Sequence, residues 1–177
     1  MKRDFASLSP QEALHVAVFI EERNAKIYHQ FAEMFSEFRD PDSLEIASTF
    51  WEMAAEERRH GTLLQKRYFD LYSTRACCMT EDDICDLIEV PRLESGDIFA
   101  ITKVKAGRSP RELALETAAM AEQGAVRFYR RLAEITTDAE MRALYLEFVD
   151  FEIGHTDWIQ QKVVETRGTS GGAKHTA

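Results

Sequence analysis

Two short units in this chain set a carboxylate and an imidazole three residues apart: Glu57-Arg58-Arg59-His60 and Glu152-Ile153-Gly154-His155. On an α-helix, residues three apart share a face, with Cβ atoms about 5–6 Å from each other. A carboxylate oxygen and an imidazole nitrogen at that spacing reach one metal ion. The zinc-protease pattern H-E-x-x-H is excluded, because the residue four before His60 is Glu56 and four before His155 is Phe151. Two Glu-x-x-His units on separate helices point instead to a site assembled from four helices.

The rest of the chain supplies those helices. Ser9-Pro10-Gln11-Glu12 reads as a helix start, with Ser at the N-cap, Pro in the first turn and Glu closing a capping box. The helix predicted from there runs to about Phe38, with a seam through Leu14, Ala17, Glu21, Asn24, Tyr28, Phe31 and Phe35. Pro41 disfavours helix before itself and opens a second run to Leu71, with seam Ile46, Phe50, Met53, Glu57, His60, Leu64, Tyr68 and Leu71. Residues 73–108 carry no sustained period beyond a short helix capped near Thr80 and ending at Ile88. A connection of that length crosses a bundle from end to end, as a short turn cannot.

The opening signal then returns as Ser109-Pro110-Arg111-Glu112. A third seam runs through Leu115, Ala118, Glu122, Ala125, Tyr129 and Leu132. A fourth, begun at Thr137-Asp138-Ala139-Glu140, runs through Met141, Tyr145, Phe148, Glu152, His155 and Ile159. Glu21 to Tyr28 and Glu122 to Tyr129 share one spacing, and each Glu-x-x-His unit follows one of these helices. The chain reads as a helix pair that occurs twice. The predicted domain covers residues 1–165, and the Gly-, Ser- and Thr-rich tail 166–177 is expected to be disordered.

Four carboxylates, Glu21, Glu57, Glu122 and Glu152, occupy seam positions that the pattern otherwise gives to apolar residues, and so do both histidines. Buried carboxylates without compensation protonate, and four together repel. Two divalent cations remove the difficulty, since their charge matches four carboxylates and two neutral imidazoles. Oxygen donors with some imidazole and no thiolate suit iron(II) or manganese(II) better than zinc. Glu22 is the alternative to Glu21 in register. Tyr28 and Tyr129 stand two turns from Glu21 and Glu122, and read either as donors to the carboxylates or as ordinary core tyrosines. Gly124 and Gly154, beside the ligands, are candidates for opening a channel. Glu56, Glu22 and Glu116 are expected to be exposed, and His15 and His29 to be surface or satisfied histidines.

A chain of 177 residues fits one domain with a continuous core. Its net charge of −9 excludes the basic footprint of a nucleic-acid binder. It holds no apolar run long enough to span a membrane, and its N-terminus shows no secretory pattern. The three cysteines, Cys77, Cys78 and Cys85, are too few for a four-cysteine metal centre, and a cytoplasmic location is expected.

Glu22-Arg23-Asn24-Ala25-Lys26-Ile27-Tyr28, Glu56-Glu57-Arg58-Arg59-His60, Glu122-Gln123-Gly124-Ala125-Val126-Arg127-Phe128-Tyr129 and Glu152-Ile153-Gly154-His155 resemble the four helices of rubrerythrin-type, ferritin-like di-iron proteins. The resemblance covers about residues 9–165. It implies an all-α, antiparallel four-helix bundle with a long crossover between its second and third helices. It further implies two iron ions held by Glu21, Glu57, His60, Glu122, Glu152 and His155, a homodimer, and reduction of hydrogen peroxide. Two departures stand out. The family's added Glu, one turn after the third-helix ligand, is Ala125 here, and the rubredoxin domain with its two Cys-x-x-Cys pairs is missing. An external electron donor is therefore expected. A ferroxidase or iron-binding role, or a di-iron oxygenase acting on an apolar substrate, are the alternative functions.

Overall fold

A computed structural model describes residues 4–73, 79–88 and 110–170. Within them the chain forms a 3-10 turn at Phe5–Ser7 and the helices α1 (Pro10–Phe38), α2 (Pro41–Tyr72), α3 (Glu81–Ile88), α4 (Pro110–Ile135) and α5 (Ala139–Ser170). No strand occurs among the described residues.

The boundaries follow from local chemistry. Ser9 and Glu12 close a reciprocal capping box, with the Glu12 carboxylate accepting from the Ser9 backbone N–H at 2.9 Å. Arg39 ends α1 in the left-handed region at φ 58°, and Asp40 at once caps α2 by accepting from the Ser43 N–H at 2.9 Å. Two residues thus reverse the chain and lay α2 antiparallel to α1. Asp138 accepts from the Met141 N–H at 2.9 Å to start α5, while the Arg142 guanidinium donates to the Thr136 carbonyl beyond α4. Thr80 and Asp83 cap α3 reciprocally, as the sequence suggests. Ser109, the expected cap of α4, lies outside the described residues, as do Cys77 and Cys78.

Helices α1 and α2 pack as one pair, α4 and α5 as another, and α1 also touches α4. The core falls into two apolar clusters. One gathers Leu14, Ala17, Leu64, Tyr68, Tyr129, Leu132, Tyr145 and Phe148. The other gathers Tyr28, Phe31, Phe35, Ile46, Phe50, Met53, Leu115 and Ile159. Helix α1 runs from the first cluster to the second, α2 runs back, α4 runs with α2, and α5 returns with α1. The end of α2 and the start of α4 therefore stand at opposite ends of the bundle, and a crossover must join them. The carboxylate-bearing turn of each helix falls between the two clusters. The core is an apolar–polar–apolar stack, and the fold is the ferritin-like all-α bundle.

Three expectations need correction. Leu71 is 44 % exposed rather than on the seam. The stripe steps by four there, so that Tyr72 continues it beside Tyr68 with ring centroids 5.4 Å apart. Helix α5 continues to Ser170, past the boundary at 165. Gly168 falls inside that stretch, and its cost of about 1 kcal/mol in a helix interior does not end the helix here. Gly124 and Gly154 do not open onto the ligands. A Cβ on Gly154 would meet nothing within 4 Å, and one on Gly124 only the Arg127 side chain. The glycine beside a ligand is Gly61, buried in α2, where a Cβ would stand 3.5 Å from that of Glu21.

Candidate metal centre

All four seam carboxylates are fully buried: Glu21, Glu57, Glu122 and Glu152 are each 0 % exposed. Each helix of the bundle contributes one, at the turn where its stripe passes from one apolar cluster to the other. His155 is buried and His60 nearly so. Glu22, the other register, is exposed and accepts a hydrogen bond from Gln65 on the bundle exterior.

The six side chains converge as two overlapping groups. Glu21, Glu57, His60 and Glu152 form one, and Glu57, Glu122, Glu152 and His155 the other, with one potential ligand atom per residue lying within 4.8 Å of all the rest. Glu57 and Glu152 belong to both. Both imidazoles turn Nδ1 inward. That of His60 stands 3.3 Å from Glu21 Oε2 and 3.9 Å from Glu57 Oε2, and that of His155 stands 3.0 Å from Glu57 Oε1 and 3.6 Å from Glu122 Oε2.

These inward atoms lack partners. Glu21 Oε2, both oxygens of Glu57 and of Glu152, Glu122 Oε2 and Nδ1 of both histidines are buried without a hydrogen bond. The short His155–Glu57 approach is an ion-pair distance without hydrogen-bond angles. Eight unpaired ligand atoms in the interior is a costly arrangement for a bundle alone. It is the arrangement that two cations would complete, so the donor set fits a dinuclear metal site. Iron and manganese fit it alike.

The outward oxygens are held. The Tyr28 hydroxyl donates to Glu122 Oε1, and the Tyr129 hydroxyl donates to Glu21 Oε1. Each tyrosine thus crosses from its own helix pair to the carboxylate of the other, and the two bonds are equivalent under the repeat. The stacking repeats as well: Tyr28 on Phe50 at 5.8 Å and Tyr129 on Tyr145 at 6.3 Å. Of the two readings open for these tyrosines, the structure adopts the carboxylate donors. Burial first, then the neighbouring carboxylates, hold both phenols well above their usual range, so they stay protonated donors.

With no cation in the cluster, protons must do the balancing. Burial, followed by repulsion from neighbouring carboxylates, raises Glu57 and Glu152 well above the carboxylate range. Burial also opposes ionisation of Glu122, but the contacts from Glu152, His155 and Tyr28 outweigh it and lower that residue. Burial works against a charged His155 too, yet the carboxylates of Glu122 and Glu57 prevail and raise it to about 11.

Two neighbours were not legible in the sequence as parts of this site. Glu56 reaches across to the other pair, with Oε2 at 2.9 Å from Nε2 of His155. Asn24, one turn after Glu21, is 1 % exposed and leaves its Nδ2 unpaired. Its equivalent in the repeat is Ala125, the position where the resembling family places an added Glu. His29 lies outside the cluster, edge-on to Trp51 at 4.5 Å, and His15 stands beside Tyr68.

Fold and cluster together define a class: ferritin-like helical bundles whose buried glutamates and histidines could bind metal. Residues 12–97 match the family model described as rubrerythrin. That match supports a rubrerythrin-type, ferritin-like relationship, that of a non-haem di-iron protein. No curated protein and no solved structure matches it. Among the described residues, no helix is long and apolar enough to cross a membrane.

Proposed function

We propose that Glu21, Glu57, His60, Glu122, Glu152 and His155 hold two iron ions, and that the centre reduces hydrogen peroxide in protection against oxidative stress. The observation that supports this most is the pair of four-residue groups sharing Glu57 and Glu152, with their inward atoms unpaired. Reduction of hydrogen peroxide to two waters takes two electrons and two protons. Two iron(II) ions, once bound, would supply the electrons, and an external donor would restore them.

The chain's own residues do the rest. Tyr28 and Tyr129 fix the orientation of Glu122 and Glu21 from outside the cluster. Glu57 and Glu152, common to both groups, keep the two positions at a fixed separation. The two apolar clusters on either side keep bulk water from the polar layer. Ala125 adds no fifth carboxylate, which leaves that side of the cluster less crowded and less negative. A homodimer in the cytoplasm is the setting that this reading adopts.

Stopped-flow mixing of the reduced, iron-loaded chain with each oxidant tests the reading. Oxidation by hydrogen peroxide faster than by dioxygen is expected. Dioxygen reacting at least as fast would favour the ferroxidase or oxygenase reading of the same centre.

A further inference from the structure

The repeat breaks at one pair of positions next to the centre. Glu56 precedes the first ligand Glu57, and its equivalent Phe151 precedes Glu152. Both side chains cross to the histidine of the other pair, and there they do opposite things. Glu56 Oε2 lies 2.9 Å from Nε2 of His155, on the side of the ring away from the cluster. Phe151 instead lies flat on His60, with ring centroids 4.6 Å apart and planes 14° from parallel. Phe148 closes on His60 edge-on at 5.3 Å. Among the described residues, no carboxylate meets Nε2 of His60.

We infer that Glu56 is a positioning residue for His155 and makes the two metal positions unequal. This rests on the dinuclear reading above and concerns which position is the tighter. In the neutral ring, a carboxylate accepting from Nε2–H fixes the proton on that nitrogen and leaves Nδ1 as the donor atom aimed at the cluster, and it raises the donor strength of the ring. A stacked phenylalanine fixes the plane of His60 but neither its tautomer nor its basicity. Glu56 is itself 47 % exposed and stands 3.7 Å from the Arg59 guanidinium. The position built on His155 and Glu122 is the tighter one, and that built on His60 and Glu21 releases its ion first.

Dialysis of the iron-loaded full chain against graded chelator, under anaerobic conditions with elemental analysis of the retained iron, tests this. The unaltered chain is expected to release its ions in two steps. Glu56→Ala should weaken the tighter step by about 10–100-fold, the usual cost of losing such a partner, and bring the two steps together. Glu56→Gln keeps an acceptor for Nε2–H and should fall between the two. Phe151→Leu should leave the tighter step in place. A single release step in the unaltered chain, or steps in Glu56→Ala that stay as they were or shift equally, would overturn the inference. A chain that holds no iron at the outset would instead sink the dinuclear reading beneath it.

Discussion

The first helix pair, α1 with α2, and the second, α4 with α5, solve the same problem with the same parts until they reach the histidines. Each contributes a lone glutamate, a Glu-x-x-His unit and a tyrosine that reaches over to the opposite pair. Each stacks that tyrosine on an aromatic ring of its partner helix. The divergence is confined to the residues around the imidazoles. His60 sits between Phe148 and Phe151, while Glu56 faces His155. Geometry that makes a site is duplicated, and residues that tune it are not. Two positions related by a repeat can then differ in affinity without any change in their ligands.

The largest effect that would break this comparison comes from the shared carboxylates. Glu57→Gln or Glu152→Gln removes a member of both groups, so either variant should fall well below two iron ions per chain. Full metal content in both variants would refute the assignment.

A second test concerns packing beside the site. Phe50 is fully buried against Tyr28, Phe31 and Phe35. Phe50→Ala should cost about 3–5 kcal/mol, read as a lower denaturant midpoint, and should loosen the support of Tyr28 but not of Tyr129.

The pH dependence sharpens the electrostatic side. In the metal-free fold, Glu57 and Glu152 are raised from an ordinary 4.5. The folded chain therefore holds more protons than the unfolded one above that pH, and stability falls as pH rises. His155, raised from 6.5 to about 11, adds stability that is complete below 6.5 and lost as pH climbs through its folded value. Within the cluster, Glu122 acts in the opposite sense, its contribution being lost as pH falls below the ordinary carboxylate range. The metal-free protein should melt lower at pH 9 than at pH 6. Iron(II), which replaces those protons, should raise the melting temperature more at the higher pH. A metal-free melting temperature that is flat or rising over this interval would contradict the account.

The smallest expected effect probes the symmetry of the tyrosines. Tyr28→Phe and Tyr129→Phe each remove one hydrogen bond to a buried carboxylate, about 1.5–3 kcal/mol in the charged state. The two losses should be similar, and chemical denaturation of the loaded protein would reveal any gap.

The buried cluster of candidate ligands was legible because charge at a seam position is conspicuous. Glu21, Glu57, Glu122 and Glu152 interrupt stripes that are otherwise apolar, and burial of all four follows from that register. The helix limits were legible through Ser9, Pro10, Asp40 and Pro41, whose backbone preferences act locally. Glu56 was not. It stands one position off the stripe and is exposed, so its pattern is that of a solvated residue, and its contact depends on how α2 faces α5. The one available signal was its mismatch with Phe151 across the repeat. The neighbourhoods of Gly124 and Gly154 were misleading for the same reason, since adjacency in sequence to a ligand says nothing about which way a helix position points.

The central claim is that two metal positions share Glu57 and Glu152 and are otherwise built from one residue pair each. Metal content of the iron-loaded chain, measured by native mass spectrometry beside Glu21→Gln, Glu122→Gln and Glu57→Gln, tests it most directly. Two ions are expected in the unaltered chain, a single ion in each of the first two variants, held more weakly in Glu122→Gln than in Glu21→Gln, and disruption of both positions in the third. Equal losses in all three variants, or two ions retained in Glu57→Gln, would contradict it.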